Sequence, residues 1–396
     1  MKNLNFKDII GVAKNYSSLL LPFVLLLVCA AVFAANLVIS GNLRGMIAKE
    51  SIPKGNKIKS MLTSVVPADQ WKEEEKYQNA YAEDANQIAL LAKQSTQREL
   101  LSYRVFPEPK DTSVLIFKGF GKQFCDKMDK LILNMNARDC PTAAEIGQGP
   151  DSEEGGARSI SYNRDDSNFA IREAYCRARA ELASVYANPA DLSGYEFWQQ
   201  YKYAGMDEAV KDCWYSQLAC WIIEDVADTI ISANDGSKTV YTSKVKRLMN
   251  IRFSAGAKTT RTSTVGGWDN RPKYVVAATD GLIEPYTGRL SNEDIDVVHF
   301  IVSIVVDNRA VLPFIQQLCS AKQHKFRGFS GDAQEQTLKH NQITVLESSI
   351  SPVNRDDGVH GLYRYGDDAV VTLDLICEYI FYKSGYEEIE PAVVKG

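Results

Sequence analysis

The chain has 396 residues, 45% of them hydrophobic and 24% charged, which are ordinary proportions for a globular protein with room for more than one domain. A formal net charge of −5 argues against nucleic-acid binding, which requires a basic face. The eight cysteines include no CxxC pair, which argues against a zinc ribbon or a thioredoxin-like site.

The N-terminus carries the strongest signal. Leu19 to Ile39 has no charged residue over roughly 21 positions, enough to cross a hydrocarbon core of about 30 Å. Pro22 lies near its start, where the first backbone N–H groups have no helical partner. The run is long for the apolar region of a signal peptide, which favours an uncleaved anchor. The small residues Ala30, Ala31, Ala34 and Ala35 keep a cleaved signal as the alternative. Lys2, Lys7 and Lys14 precede the run, and Arg44, Lys49, Lys54, Lys57 and Lys59 follow it. A strict positive-inside count would place the bulk of the chain in the cytoplasm, but large domains translocate largely regardless of charge.

Trp71 to Tyr103 reads as a polar helix. Tyr77, Tyr81, Ile88 and Leu91 recur at helical spacing, a narrow seam suited to a weak coiled coil or to resting on a partner. Pro107 and Pro109 end it. Phe117, Phe120, Phe124, Met128, Leu131 and Met135 then form one apolar stripe of an amphipathic helix. The acidic, Gly-rich stretch Gly147–Ser159 lacks the phosphate-loop pattern and reads as a surface loop. A helix is expected from Phe169 to about Tyr186.

Asp207 to Asn234 is the most regular helix, with Trp214, Leu218, Trp221, Ile222, Val226 and Ile230 on its buried stripe. Glu224, Asp225 and Asp228 sit close together on it. With no histidine beside them they read as a solvated acidic face, with acid–base chemistry as the alternative. A strand is expected over Lys244–Phe253, and a polar insertion over 254–272 separates it from the segment Lys273–Asp280. In Asp296–Asp307, Val298, Phe300, Val302, Ile304 and Val306 alternate onto one face of a strand. A helix is expected from Leu312 to Ala321, with Phe314, Ile315 and Leu318 toward the sheet. Two strands follow, in Ile343–Val353 and Ala369–Tyr382. The order strand, helix, strand, strand is a βαββ unit. The helix–strand segment 207–253 reads as a degenerate first copy.

No catalytic, cofactor or metal site is expected. His299, His324, His340 and His360 are not at metal-ligand spacing, and the nucleophile, zinc-protease, dinucleotide and Walker motifs are missing. Cys125 and Cys140 are the pair to test for a disulfide.

The span, the stalk, the unit "VVHFIVSIVVDNRAVLPFIQQL", the strand "ITVLESSISPV" and "YGDDAVVTLDLICEYIFY" together resemble the PilO-like proteins of type IV pilus systems and their type II secretion counterparts. The insertions and a length about twice the usual depart from that pattern. The resemblance implies an α+β fold: one N-terminal transmembrane helix, a helical stalk, then ferredoxin-like βαββ domains, two in tandem. The expected divisions are a cytoplasmic tail (1–17), a transmembrane helix (18–40), a stalk (41–106), a first α+β region with polar insertions (107–290) and a C-terminal ferredoxin-like domain (291–396). It further implies a non-enzymatic platform protein in the bacterial inner membrane, single-pass, with its bulk in the periplasm. Its partners would be other inner-membrane pilus or secretion components, in a homo- or hetero-dimer, with Tyr77, Tyr81, Ile88 and Leu91 as candidate contacts, lipid around the span and no nucleic acid. A periplasmic ligand-binding or sensor module and an envelope hydrolase are the alternative functions.

Overall fold

The computed structural model describes residues 17–64, 68–142, 145–146, 169–253, 287–330 and 333–395. The expected cytoplasmic tail up to residue 16, the loop 147–159, the insertion 254–272 and the segment 273–280 lie outside the described residues. The chain divides into two units, residues 1–84 and 85–396.

The first unit is helical. Helix α1 runs Ser17–Met46, a π-helical turn covers Ile47–Ser51, and α2 runs Ile52–Ser64. Val24–Leu62 contains a stretch long and apolar enough to cross a membrane, with a mean hydropathy of 2.5. The helix outruns the expected end at residue 40, continuing through Gly41 and Gly45 to Met46. It already runs from Ser17, so Pro22 lies inside it rather than at its first position. Helix α3, Ala68–Thr96, begins in this unit.

The second unit is built on a four-stranded antiparallel sheet of order β1-β2-β6-β5, from β1 Val245–Phe253, β2 Ile295–Asp307, β5 Ile343–Pro352 and β6 Val370–Tyr382. β2 and β6 are paired along their full length, from Ile295 opposite Tyr382 to Asp307 opposite Val370. The expected inward set Val298, Phe300, Val302, Ile304 and Val306 is buried throughout. Those side chains meet Trp221 and Val226 of α7, Met206–Ala233, and Phe314 and Leu318 of α8, Val311–Leu318, in one apolar cluster. The opposite face is also covered near one end of β2. Val305 packs there with Ala180 and Ala183, Tyr186, Val240 and Tyr365. Completely buried strands of this kind are rich in β-branched residues, as β2 is.

The main apolar cluster takes in α4, Val114–Asn134, through Phe117, Phe120, Phe124, Met128 and Leu131, the expected stripe. Ser113 caps this helix, its Oγ accepting from the Leu115 N–H at 3.2 Å. α5, Phe169–Leu182, is followed by residues 185–193, which close the outer edge of β1. Tyr186 N–H donates to the Lys246 carbonyl at 2.9 Å, and Leu248 N–H returns to Tyr186 at 2.8 Å. The short α6, Tyr195–Gln199, seats Trp198 against α4.

Two features depart from expectation. β1, read with the preceding helix as a separate copy, pairs with β2 from Val245–Val306 to Phe253–Phe300 and so completes the C-terminal sheet. A hairpin of β3, Lys322–Phe326, and β4, Gln336–His340, lies between α8 and β5, where no strand was expected. All eight cysteines, Cys125 and Cys140 among them, are free thiols.

Candidate functional site

α3 presents the candidate stalk residues as expected from their spacing. Tyr77, Tyr81, Ile88 and Leu91 are 55%, 72%, 66% and 63% exposed. A helical period places the four on one face, and such apolar side chains gain by covering. The same periodic seam reaches Ser95, which is buried in the second unit together with its neighbour Thr96. Gln342 Nε2 donates to Ser95 Oγ at 2.6 Å, and Thr96 Oγ1 donates to the Tyr382 carbonyl at 2.8 Å.

Immediately after α3, Arg98 enters the interior and gathers a charge network around Asp225 of α7. Arg98 Nη1 donates to the Asp225 carboxylate at 3.0 Å, and Nη2 donates to Glu224 Oε2 at 3.2 Å. Tyr379 of β6 donates its hydroxyl to Asp225 Oδ2 at 2.9 Å. His340 of β4 places Nε2 at 2.9 Å from the same oxygen. Its other ring nitrogen, Nδ1, lies 3.0 Å from Nδ1 of His324 of β3, whose Nε2 meets the Gln97 carbonyl at 2.8 Å. Lys127 of α4 completes the group through Glu224 Oε1 at 2.6 Å.

Burial alone would push the Asp225 carboxyl up. The Arg98 guanidinium and the hydrogen bond from His340 outweigh it and hold Asp225 well below the usual carboxylate range. Burial likewise works against the charge on Arg98, but Asp225, Tyr379 and Glu224 raise its pKa further. Burial moves His324 down to about 4, assisted by the positive charge of Arg98. Asp228, one turn beyond Glu224, is pushed up to about 6 by desolvation and then by the negative charges of Glu224 and Asp225, although its side chain reaches solvent.

Glu224, Asp228, His324, Arg98, Lys127 and Trp221 all line one open cleft of about 530 Å³. The three helix carboxylates therefore do not form a uniform solvated face. Asp225 is interior, Glu224 is held between two cations, and Asp228 stands at the cleft. Such an arrangement fixes geometry, since the charges of Glu224 and Asp225 are already matched. Among the described residues, no group of three or more His, Cys, Asp or Glu side chains is arranged to hold a metal.

Sequence reasoning missed Arg98, Tyr379, His324 and His340. The only local signal was a positive charge directly after a helix in an otherwise neutral stretch, Ser95 to Gln97. His299, read as a structural histidine, is buried in β2 with Nε2 at 3.5 Å from Glu378 of β6.

No family model matches the chain, and no curated protein matches it. Among solved structures, a protein from Akkermansia muciniphila is similar at TM-score 0.29 and 9% identity, over 78% of this chain and 95% of that one. A likeness at that level adds nothing to the fold or the function.

Proposed function

We propose that the chain is a single-pass, non-enzymatic platform protein of the inner membrane, with its bulk in the periplasm, that works by dimerising through α3 within a type IV pilus or type II secretion-like assembly. The observation that carries this reading is the exposed apolar face of α3 in a chain whose first helix has the length and apolarity of an anchor. Four large apolar or aromatic side chains at coiled-coil spacing gain little in water and much against a second helix of the same kind. Anchoring both helices in one bilayer confines the partners and raises their effective concentration.

The strand arrangement supports the PilO-like resemblance. With the β3–β4 hairpin counted as an insertion, the order is helix, strand, strand, helix, strand, strand, and the sheet order is β1-β2-β6-β5. That is the order of a ferredoxin-like sandwich whose first strand has moved to the end of the chain. The ion pairing of Glu224 and Asp225 favours a structural role over the acid–base role a hydrolase would need. The mainly polar lining of the cleft is unlike the apolar pocket a small-molecule sensor presents.

The reading is tested with Ile88→Glu and Leu91→Glu together, in membranes. Crosslinking between neighbouring chains, or to co-purified pilus or secretion components, falls at least fivefold while the melting temperature of the second unit stays within a few degrees. Unchanged crosslinking with the doubly charged helix rules out α3 as the contact.

A further inference from the structure

We propose that His324 and His340 form a proton-counting latch, which holds the β3–β4 hairpin against α7 while the pair carries one positive charge and releases it when the pair carries none or two. The inference rests on the charge network and is independent of the platform reading.

Hydrogen-bond direction fixes the proton count. The Gln97 carbonyl can only accept, so His324 Nε2 carries a proton. Asp225 is a carboxylate, so His340 Nε2 carries one as well. At 3.0 Å the two Nδ1 atoms share a third, since two lone pairs would repel and two N–H groups would clash. Three protons on four ring nitrogens is one more than two neutral imidazoles hold. The pair therefore bears a single positive charge, a property of the pair rather than of one ring.

The elements around the pair supply groups of both signs. α7 supplies Asp225, with Glu224 and Asp228 nearby. The segment after α3 supplies Arg98 and the Gln97 carbonyl, β6 supplies the Tyr379 hydroxyl, α4 supplies Lys127, and Lys322 stands at the start of β3. Arg98 opposes a second proton on the pair, and the Asp225 carboxylate accepts from His340 Nε2. His324 and His340 sit on the two strands of one hairpin, so these bonds tie that hairpin to the interior. Gln323, His324 and Lys325 also form part of the cleft wall, so release of the hairpin opens the cleft.

The docked pair holds one proton more than two neutral imidazoles. Once the hairpin is released, two solvated imidazoles titrate near the ordinary value of about 6.5. Below that pH they hold two protons more than the neutral pair, and above it no extra proton. Docking therefore releases a proton on the acid side and takes one up on the alkaline side. The first pH unit away from about 6.5, in either direction, shifts the equilibrium toward release by about threefold, and each further unit approaches about tenfold. The acid limb ends near pH 4, where the docked His324 itself takes up a proton.

The test is hydrogen exchange on the detergent-solubilised full chain from pH 4.5 to 8.5, each amide rate divided by its intrinsic rate at that pH. Protection of the β3–β4 amides should peak near pH 6.5 and fall severalfold to tenfold per unit on both sides, while β2–β6 amides stay flat. In His324→Gln and His340→Gln the peak should disappear. A hairpin whose protection does not change with pH in the native chain overturns the proposal, as does a peak that survives both substitutions. Should either variant lose β2–β6 protection as well, the ring-nitrogen ¹⁵N spectrum of the native chain decides. Three protonated nitrogens of the four at pH 6.5 support the latch, and two or four overturn it.

Discussion

At the scale of single residues, Asp225 is the organising group. Its carboxylate receives Arg98, Tyr379 and His340, from partners 127, 154 and 115 residues away in sequence. Replacing it by Asn keeps the shape and removes the charge. Arg98 would then be left in the interior with only Glu224, and the histidine pair would lose its counter-ion. Breaking a buried pair from one side typically costs about 3–5 kcal/mol. Asp225→Asn is therefore expected to lower stability by about that amount in urea titrations at pH 7, and a loss below about 0.5 kcal/mol would mean Glu224 alone satisfies Arg98. The pH dependence has a fixed sign. A carboxyl held below its usual range stabilises the folded chain above the ordinary value of about 3.9, and that contribution drains away as pH falls from there toward the depressed value. None of this was legible in the sequence. Glu224, Asp225 and Asp228 lie within one helical turn and look alike on a helix whose partners are unknown. What separates them is where remote side chains arrive, and no local pattern encodes that.

At the scale of elements, the sequence is most readable where one face is apolar without interruption. Every second residue of β2 from Val298 and of β6 from Val371 is apolar, and α4 repeats its aromatic stripe, so their positions follow from period alone. β3 and β4 could not be read that way. "KQHKF" and "QTLKH" each offer little apolar surface, and what they bury includes His340, held by the charge network rather than by hydrophobic packing. The membership of β1 in the main sheet was hidden for a different reason: 41 residues lie between its end at Phe253 and the start of β2 at Ile295. Contact between α4 and α6 gives a sharper test of packing. Gly121 faces Trp198, and a Cβ there would lie 2.5 Å from Cε3 and 3.1 Å from Cδ2 of the indole. The ring cannot simply slide away, because its Nε1 donates to Ser216 Oγ at 3.0 Å and its edge packs on Phe120. Gly121→Ala is thus expected to destabilise the second unit by about 1–3 kcal/mol, against the modest gain that Gly to Ala brings in an open helix. A variant as stable as the native chain would show that α6 repacks freely.

For the whole molecule, the platform reading makes a definite statement about the side of the membrane that carries the second unit. Local charge points one way: Arg44, Lys49, Lys54, Lys57 and Lys59 follow the apolar run, and positive flanks tend to stay in the cytoplasm. Two features weaken that pull. Lys54, Lys57 and Lys59 lie well past the end of the apolar run at Ile39, where their weight in the count falls away. Large domains that follow a membrane span also translocate largely irrespective of charge. The platform reading requires the periplasmic side, because that is where a stalk and a folded body could join an envelope assembly. Protease added to spheroplasts should then degrade the second unit while a cytoplasmic marker survives, and the membrane-bound remnant should keep α1. A full-length chain of 44.1 kDa that resists protease until the spheroplasts are lysed would place the body in the cytoplasm and remove the platform reading, whatever α3 binds.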